Sequence, residues 1–231
     1  MNASRKPLVY IISAPSGSGK STLTNELLKL VPNLEFSISY TTRAPRGSEQ
    51  NGKQYHFIRM DEFRRMIAAG EFLEYAEVYG KCYGTAREFL RQAGRTGHDL
   101  LLDIDVQGAA QVKRNLTDAI SIFVLPPDRT TLEWRLRNRS EDPEDEIQRR
   151  LLTAKREIEE YDKYDYILIN DKLEKSIERL QAIVLSERLR REQRPLSEQE
   201  GAIAERAERL RLANLKERVQ PILTSFRASA T

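Results

Sequence analysis

Short apolar runs alternate with stretches of helical period along most of this chain. Leu8 to Ile12, Leu100 to Ile104, Ile120 to Leu125 and Tyr166 to Ile169 are almost wholly apolar, and a helical pattern follows each of them. After the first run, Leu23, Leu27, Leu28 and Val31 recur at the spacing of one helix face. Continuous apolar strands separated by amphipathic helices are the signature of a parallel sheet covered on both sides. Residues 37–90 depart from this order. Tyr55 to Ile58, Phe72 to Val78 and Lys81 to Thr85 alternate polar and apolar positions, with Tyr79-Gly80 and Tyr83-Gly84 as turn-like punctuation. That pattern predicts a small, partly antiparallel sheet inserted into the α/β core, able to close over a substrate by hinge motion.

The C-terminal segment reads differently. Pro195, then Ser197 with Glu200 three residues later, forms a capping-box start, and Ile203, Ala207, Leu210 and Ala213 fall at helical spacing. The expectation is an added amphipathic helix that packs on the body, pairs with another subunit or stands in solvent. Pro221 and the small polar residues after Thr224 predict a frayed end. No repeats or low-complexity tracts occur.

Composition narrows the class. With 231 residues the chain can bury a sizeable core. No apolar run approaches the roughly 20 residues that span a bilayer, and the start lacks a signal peptide's apolar stretch, so the expected setting is cytoplasmic. A single cysteine, Cys82, excludes an internal disulfide, and His56 and His98 lie too far apart for metal-ligand spacing. The net charge is +3, but ten Lys/Arg against seven Asp/Glu fall from Glu187 onward, leaving 28 of each before it. A neutral body argues against a general nucleic-acid binder.

Two segments look built for phosphate. After the first apolar run comes Ala14-Pro15-Ser16-Gly17-Ser18-Gly19-Lys20-Ser21, then Thr22 in the following helix. A strand entering such a loop and leaving as a helix aims backbone N–H groups and a helix dipole at one polyphosphate. Lys20 would reach the β and γ phosphates, and the Ser21 hydroxyl would sit where a magnesium ligand is needed. Ala14 stands where the full pattern opens with glycine, and the plainer alternative is a turn that binds nothing. In the second segment, Thr42 to Phe57, Arg43, Arg46 and Tyr55 form a candidate phosphate clamp. Two phosphate sites point to phosphoryl transfer between two nucleotides. The run Leu100 to Ile104 brings Asp103 and Asp105 to one strand face at its carboxyl end, where open α/β sheets bind ligands. Asp103 is placed to organise magnesium, through water; the plainer reading is an acid capping the next helix.

The segments Ser13 to Ser21, Phe36 to Phe57, Gly70 to Gly80, Tyr83 to Thr85, Leu100 to Gly108 and Ile167 to Asp171 together resemble the guanylate kinase family of nucleoside monophosphate kinases. The resemblance covers about residues 7–186. It implies an α/β fold with a P-loop NTPase-type parallel sheet flanked by helices, an inserted mixed or antiparallel GMP-binding subdomain, a helical lid and a C-terminal helical extension. The implied division is a core of 7–36 and 95–186, an insert of 37–94, a lid near 135–155 and an extension of 187–231. It further implies that Arg43, Arg46, Tyr55 and Tyr83 hold the GMP phosphate. Glu74 would read guanine, accepting from N1–H and the 2-amino group, donors adenine does not present there. Ser39 and Thr85 match hydroxyls near the base, and Asp105 an acid near the nucleoside. Arg135 and Arg139, four apart on one helix face, match the lid together with Arg150, and Asn170 matches a position near adenine.

The resulting expectation is Mg-assisted transfer from ATP to GMP, and to dGMP, by alignment and charge neutralisation without a general base or covalent intermediate. Partners would be the two nucleotides, with no nucleic acid, no membrane and no assigned oligomeric state. Two rivals are a kinase for another small phosphate ester, such as a ribose bisphosphate, and a non-catalytic scaffold module. The first has no use for Glu74, and the second tends to lose the loop at Ser16 to Ser21.

Overall fold

A computed structural model describes residues 6–78, 80–139 and 143–227 of the chain, with the side chain of Arg139 outside the description. In chain order the elements are β1 (Val9–Ser13), α1 (Lys20–Leu30), β2 (Leu34–Phe36), β3 (Tyr40–Thr41), β4 (His56–Phe57), α2 (Met60–Ala68), β5 (Phe72–Val78), β6 (Lys81–Ala86), α3 (Arg87–Thr96), β7 (Asp99–Asp103), α4 (Val106–Asn115), β8 (Ile120–Leu125), α5 (Arg129–Arg139), α6 (Glu144–Ile158), a 3-10 turn (Glu159–Lys163), β9 (Tyr166–Ile169), α7 (Leu173–Glu192), α8 (Glu198–Glu208) and α9 (Leu212–Arg227).

The four apolar runs are β1, β7, β8 and β9, buried over nearly their whole length. They belong to a five-stranded sheet of order β2-β7-β1-β8-β9, in which β2 pairs with β7 and β8 with β9 in parallel. The alternating region forms a second sheet, β4-β3-β6-β5, with one parallel and two antiparallel pairings. Strands β2 and β3 were not expected, since three and two residues are too few to show a period. The strand expected at Leu100 to Ile104 ends at Asp103, and Asp105 lies beyond it as the N-cap of α4. Strand alternation therefore does not relate the two aspartates.

The chain divides into two compact units, Met1–Ile11 with Asn33–Ile120 and Ile12–Pro32 with Ser121–Thr231. In the first, α2 and the second sheet share a small core of Phe63, Met66, Phe72 and Ala86, with Tyr40, Ile58 and Phe89 packed against it. A bulge in β5 between Phe72 and Glu74 breaks the strict alternation and brings Phe72, Leu73 and Glu74 all under cover.

In the second unit the C-terminal segment is two helices rather than one. Ser197 and Glu200 form the expected capping box at α8, but the helix stops at Glu208. Arg211 then pairs with Tyr166 as an antiparallel bridge, and the Ile167 N–H donates to the Leu210 carbonyl at 2.9 Å. Ala213, expected on the apolar face, is exposed; Leu215, Val219, Ile222, Leu223 and Phe226 form the buried face of α9 instead. The fray expected from Pro221 gives way to a helix that continues to Arg227, and the part of that expectation beyond Arg227 lies outside the described residues. A proline in a helix interior costs about 3 kcal/mol. Each fully buried large side chain contributes about 1.5–3 kcal/mol, and five of them outweigh that cost.

Candidate active site

In the second unit, β1 ends at Ser13 and the chain turns through Ala14–Gly19, closed by the Ser18 N–H donating to the Pro15 carbonyl at 3.1 Å. Gly19 has φ 90° and sits directly before α1. Only glycine fits: a Cβ here would lie 2.5 Å from Asn170 Nδ2, besides adopting a left-handed backbone. The first turn of α1 has no acidic residue and no side-chain cap, the condition in which a helix N-terminus accepts an anion. Ser21 and Thr22 are exposed there, while Ser16, Gly17 and Lys20 are half-buried.

Side chains from later in the same unit hold this loop. Asn170, 5% exposed at the end of β9, donates through Nδ2 to the Ser18 carbonyl at 2.7 Å. Arg135 on α5 donates to the Asn170 carbonyl at 3.0 Å and to the Ser18 carbonyl at 3.4 Å. Burial lowers the Arg135 pKa, opposed by Asp128, which leaves the guanidinium a fixed cation. Arg150 on α6 donates to Ser16 Oγ at 2.6 Å. Ser18 Oγ is fully buried with no hydrogen-bond partner among the described residues. Arg139 ends α5, and its side chain lies outside the described residues.

The first unit holds the other candidate site. Arg43 is half-buried, with its guanidinium 5.2 Å from the Tyr55 ring centroid, 5.6 Å from that of Phe57 and in hydrogen-bonding range of Tyr83. Tyr55 and Tyr83 meet edge to face at 5.8 Å. The fork of Arg43 is shared with Glu49, which also accepts from the Arg46 N–H at 2.7 Å. Arg43 lowers the Glu49 pKa, so this carboxyl is ionised at neutral pH. Arg46 is exposed and Ser39 half-buried, the latter accepting from the His56 N–H through its carbonyl.

Glu74 is 5% exposed and lies opposite Thr85 across the β5–β6 ladder, whose Oγ1 donates to Glu74 Oε1 at 2.6 Å. Burial raises its pKa to about 7, an effect the Thr85 hydrogen bond opposes and the neighbouring Asp105 charge reinforces. Asp105 caps α4 by accepting from the Gly108 N–H at 2.7 Å. Gly108 itself is tight against the carboxyl, since a Cβ there would lie 2.6 Å from Glu74 Oε2. A buried carboxyl with Thr85 on Oε1 and Gly108 close to Oε2 is costly to leave without further donors. Asp103 closes β7 in this unit and is half-buried.

Within each unit, then, several of the residues marked from the sequence lie together: Arg43, Tyr55 and Tyr83 in one group, Glu74, Thr85 and Asp105 in a second, the loop with Arg135, Arg150 and Asn170 in a third, while no side-chain contact joins Arg46 or Ser39 to these groups among the described residues. Glu49 and Gly108 were missed. Each has a spacing signal in retrospect, Glu49 three residues after Arg46 and Gly108 three after the capping Asp105. No group of three or more His, Cys, Asp or Glu converges as a metal site among the described residues. No helix among them is long and apolar enough to cross a membrane.

Comparison with known proteins gives a consistent result. The family model described as guanylate kinase matches residues 4–187. A guanylate kinase of Koribacter versatilis is 58% identical over 222 residues, 95% of each chain, so that alignment extends into the C-terminal segment. One from Geobacter metallireducens is 50% identical over 186 residues, 80% of this chain and 92% of its own. Among solved structures, the crystal structure of guanylate kinase from Anaplasma phagocytophilum superposes with a TM-score of 0.63 at 34% identity, covering 78% of this chain and 86% of that one.

Proposed function

The chain belongs to the guanylate kinase family, and from that premise we infer how its residues divide the work of the reaction. The protein phosphorylates GMP to GDP using ATP. Ala14 to Thr22 take the ATP polyphosphate, with Lys20 a fixed charge on it, Arg135, Arg139 and Arg150 the lid cations, and Asn170 the brace behind the loop. Arg43, Arg46, Tyr55 and Tyr83 take the GMP phosphate; Glu74, Thr85, Ser39 and Asp105 take the nucleoside.

The observation that carries this reading is Glu74. Thr85 occupies one oxygen edge and leaves the carboxylate to meet guanine N1–H and the 2-amino group. Adenine would leave a buried carboxylate unpaired, which costs more than a missing contact at a surface. dGMP presents the same base and phosphate and would be a second acceptor.

The acceptor phosphate is already ionised at neutral pH, so no group in the insert needs to remove a proton. The clamp arginines bind and orient the GMP oxygens, and the phenols of Tyr55 and Tyr83 donate to the phosphate. Lys20 and the lid arginines place fixed positive charge where negative charge develops on the γ-phosphoryl oxygens, and lid closure excludes water as a competing acceptor. Magnesium arriving with ATP would be held by the Ser21 hydroxyl and would supply further neutralisation of the polyphosphate. The donor set fits that ion: magnesium keeps most ligands as water and phosphate oxygens, and the protein offers one exposed hydroxyl rather than a carboxylate cage. The setting we assign is the cytoplasm, where both nucleotide pools lie.

ADP formation from Mg-ATP with GMP, dGMP, AMP, CMP and UMP as acceptors tests the reading. Turnover restricted to GMP and dGMP is expected, and loss of that restriction in Glu74→Gln. Equal turnover with AMP would remove Glu74 from base recognition.

A further inference from the structure

The helices beyond residue 187 lie outside the family match, yet they reach both elements that hold the phosphate loop. Helix α9 packs against α5, α6 and β9. Its Ser225 Oγ accepts the N–H of Arg129, the first residue of α5, at 3.1 Å. Asp128 already serves the Thr131 N–H at 2.6 Å, so two acceptors from different parts of the chain satisfy the first turn of α5. Six residues on from Arg129, Arg135 donates to the carbonyls of Ser18 and Asn170, and Leu132 and Leu136 are fully buried.

A second anchor fixes the α8–α9 junction to β9. Glu187 Oε1 accepts from the Tyr166 hydroxyl at 2.5 Å and from Arg211 at 2.9 Å, and the Arg211 guanidinium lies 4.6 Å from the Tyr166 ring centroid. Tyr166 begins β9, and the residue after β9 is Asn170, which holds the Ser18 carbonyl. One arm of the loop's support therefore runs through α5 and the other through β9, and the C-terminal helices touch both.

We propose that the C-terminal helices set the geometry of the ATP site, with Ser225 and Arg211 as positioning residues for Arg135 and Asn170. The proposal rests on Ser16 to Ser21 being the ATP loop. It assigns these helices a part in donor binding and none in GMP binding.

The test is full-chain Ser225→Ala, Ser225→Thr and Lys20→Ala, each assayed for the KM of ATP and of GMP and for thermal stabilisation by Mg-ATP. Loss of one part-buried hydrogen bond corresponds to about a fivefold change in an equilibrium. Ser225→Ala should raise the KM for ATP about fivefold and shrink the ATP-induced rise in Tm, leave the KM for GMP unchanged, and be reversed by Ser225→Thr. Unchanged ATP parameters, or equal changes for both substrates, would overturn the proposal. If Ser225→Ala does not fold, Arg211→Met decides by the same criteria. Lys20→Ala should lose ATP stabilisation. Full stabilisation of that variant would instead show that the loop assignment is wrong, a failure distinct from one confined to Ser225.

Discussion

Both terminal nitrogens of Arg43 donate to Glu49, Nη1 to Oε2 at 2.9 Å and Nη2 to Oε1 at 3.0 Å. The same carboxylate accepts the Arg46 backbone N–H, so one acid sets the fork of the first arginine and the turn carrying the second. Arranged this way before a ligand arrives, the proposed clamp would lose less freedom on binding. Glu49→Gln keeps the shape but removes the charge-assisted pairing, and it should raise the KM for GMP about tenfold with the KM for ATP unchanged. A lower KM for GMP would mean that Glu49 competes with the phosphate.

Glu74 supplies a pH prediction. Burial raises its pKa to about 7, and the proposed guanine recognition requires the ionised form. Affinity for GMP should therefore fall as pH drops from 8 to 6, and Glu74→Gln, already weak, should lack that step; the titration of GMP's own phosphate is common to both. The stability consequence has a definite sign. A carboxyl whose folded pKa lies above its unfolded value binds its proton more tightly in the native state, so stability falls as pH rises from about 4.5 to about 7. Glu74→Gln should then be more stable than the parent at pH 8, by roughly 3 kcal/mol at most, and show little gain at pH 4.5. Urea midpoints at the two pH values measure the difference.

Gly108 makes a related prediction by a steric route. Its absent Cβ leaves room for Glu74 Oε2, which a methyl group would approach to 2.6 Å. Gly108→Ala keeps the helix and should push the carboxyl off the guanine edge, lowering kcat/KM for GMP about a hundredfold through loss of a paired buried acceptor. ATP-dependent stabilisation should persist. Normal GMP kinetics in this variant would show that Glu74 moves aside freely and does not define the base site.

The long buried strands were legible because β1, β7, β8 and β9 carry almost wholly apolar runs, the pattern of a covered sheet. The glycine loop and the arginine spacing were equally legible, since both impose local chemistry. What escaped were features set by pairing. The β5 bulge that places Glu74 against Thr85 depends on the register of β6, and nothing in Phe72 to Val78 announces it. The break between α8 and α9 likewise arises because residues 210–212 pair with the β9 edge and its preceding residue, a competitor that helical periodicity does not see. Pro221 misled for the same reason, its local penalty being outweighed by contacts made elsewhere.

Asn170 is where the structure and the family resemblance suggest different work. The resemblance sets it near adenine. In the structure its Nδ2 donates to the Ser18 carbonyl at 2.7 Å, its backbone carbonyl accepts from Arg135 at 3.0 Å, and the residue is 5% exposed. The carboxamide nitrogen thus braces the loop, and its removal should disturb the loop whichever base the donor carries. Asn170→Ala should therefore raise the KM for ATP about tenfold, as expected when a buried carbonyl loses its donor. The same substitution should raise the KM for GTP as phosphoryl donor by the same factor, leaving the ratio of the two donors fixed. A side chain that reads adenine would behave otherwise: its loss would weaken ATP alone and bring the donors together. Comparing the ATP/GTP ratio in parent and variant therefore separates a brace from a reader, and the Nδ2 hydrogen bond to the Ser18 carbonyl favours the brace.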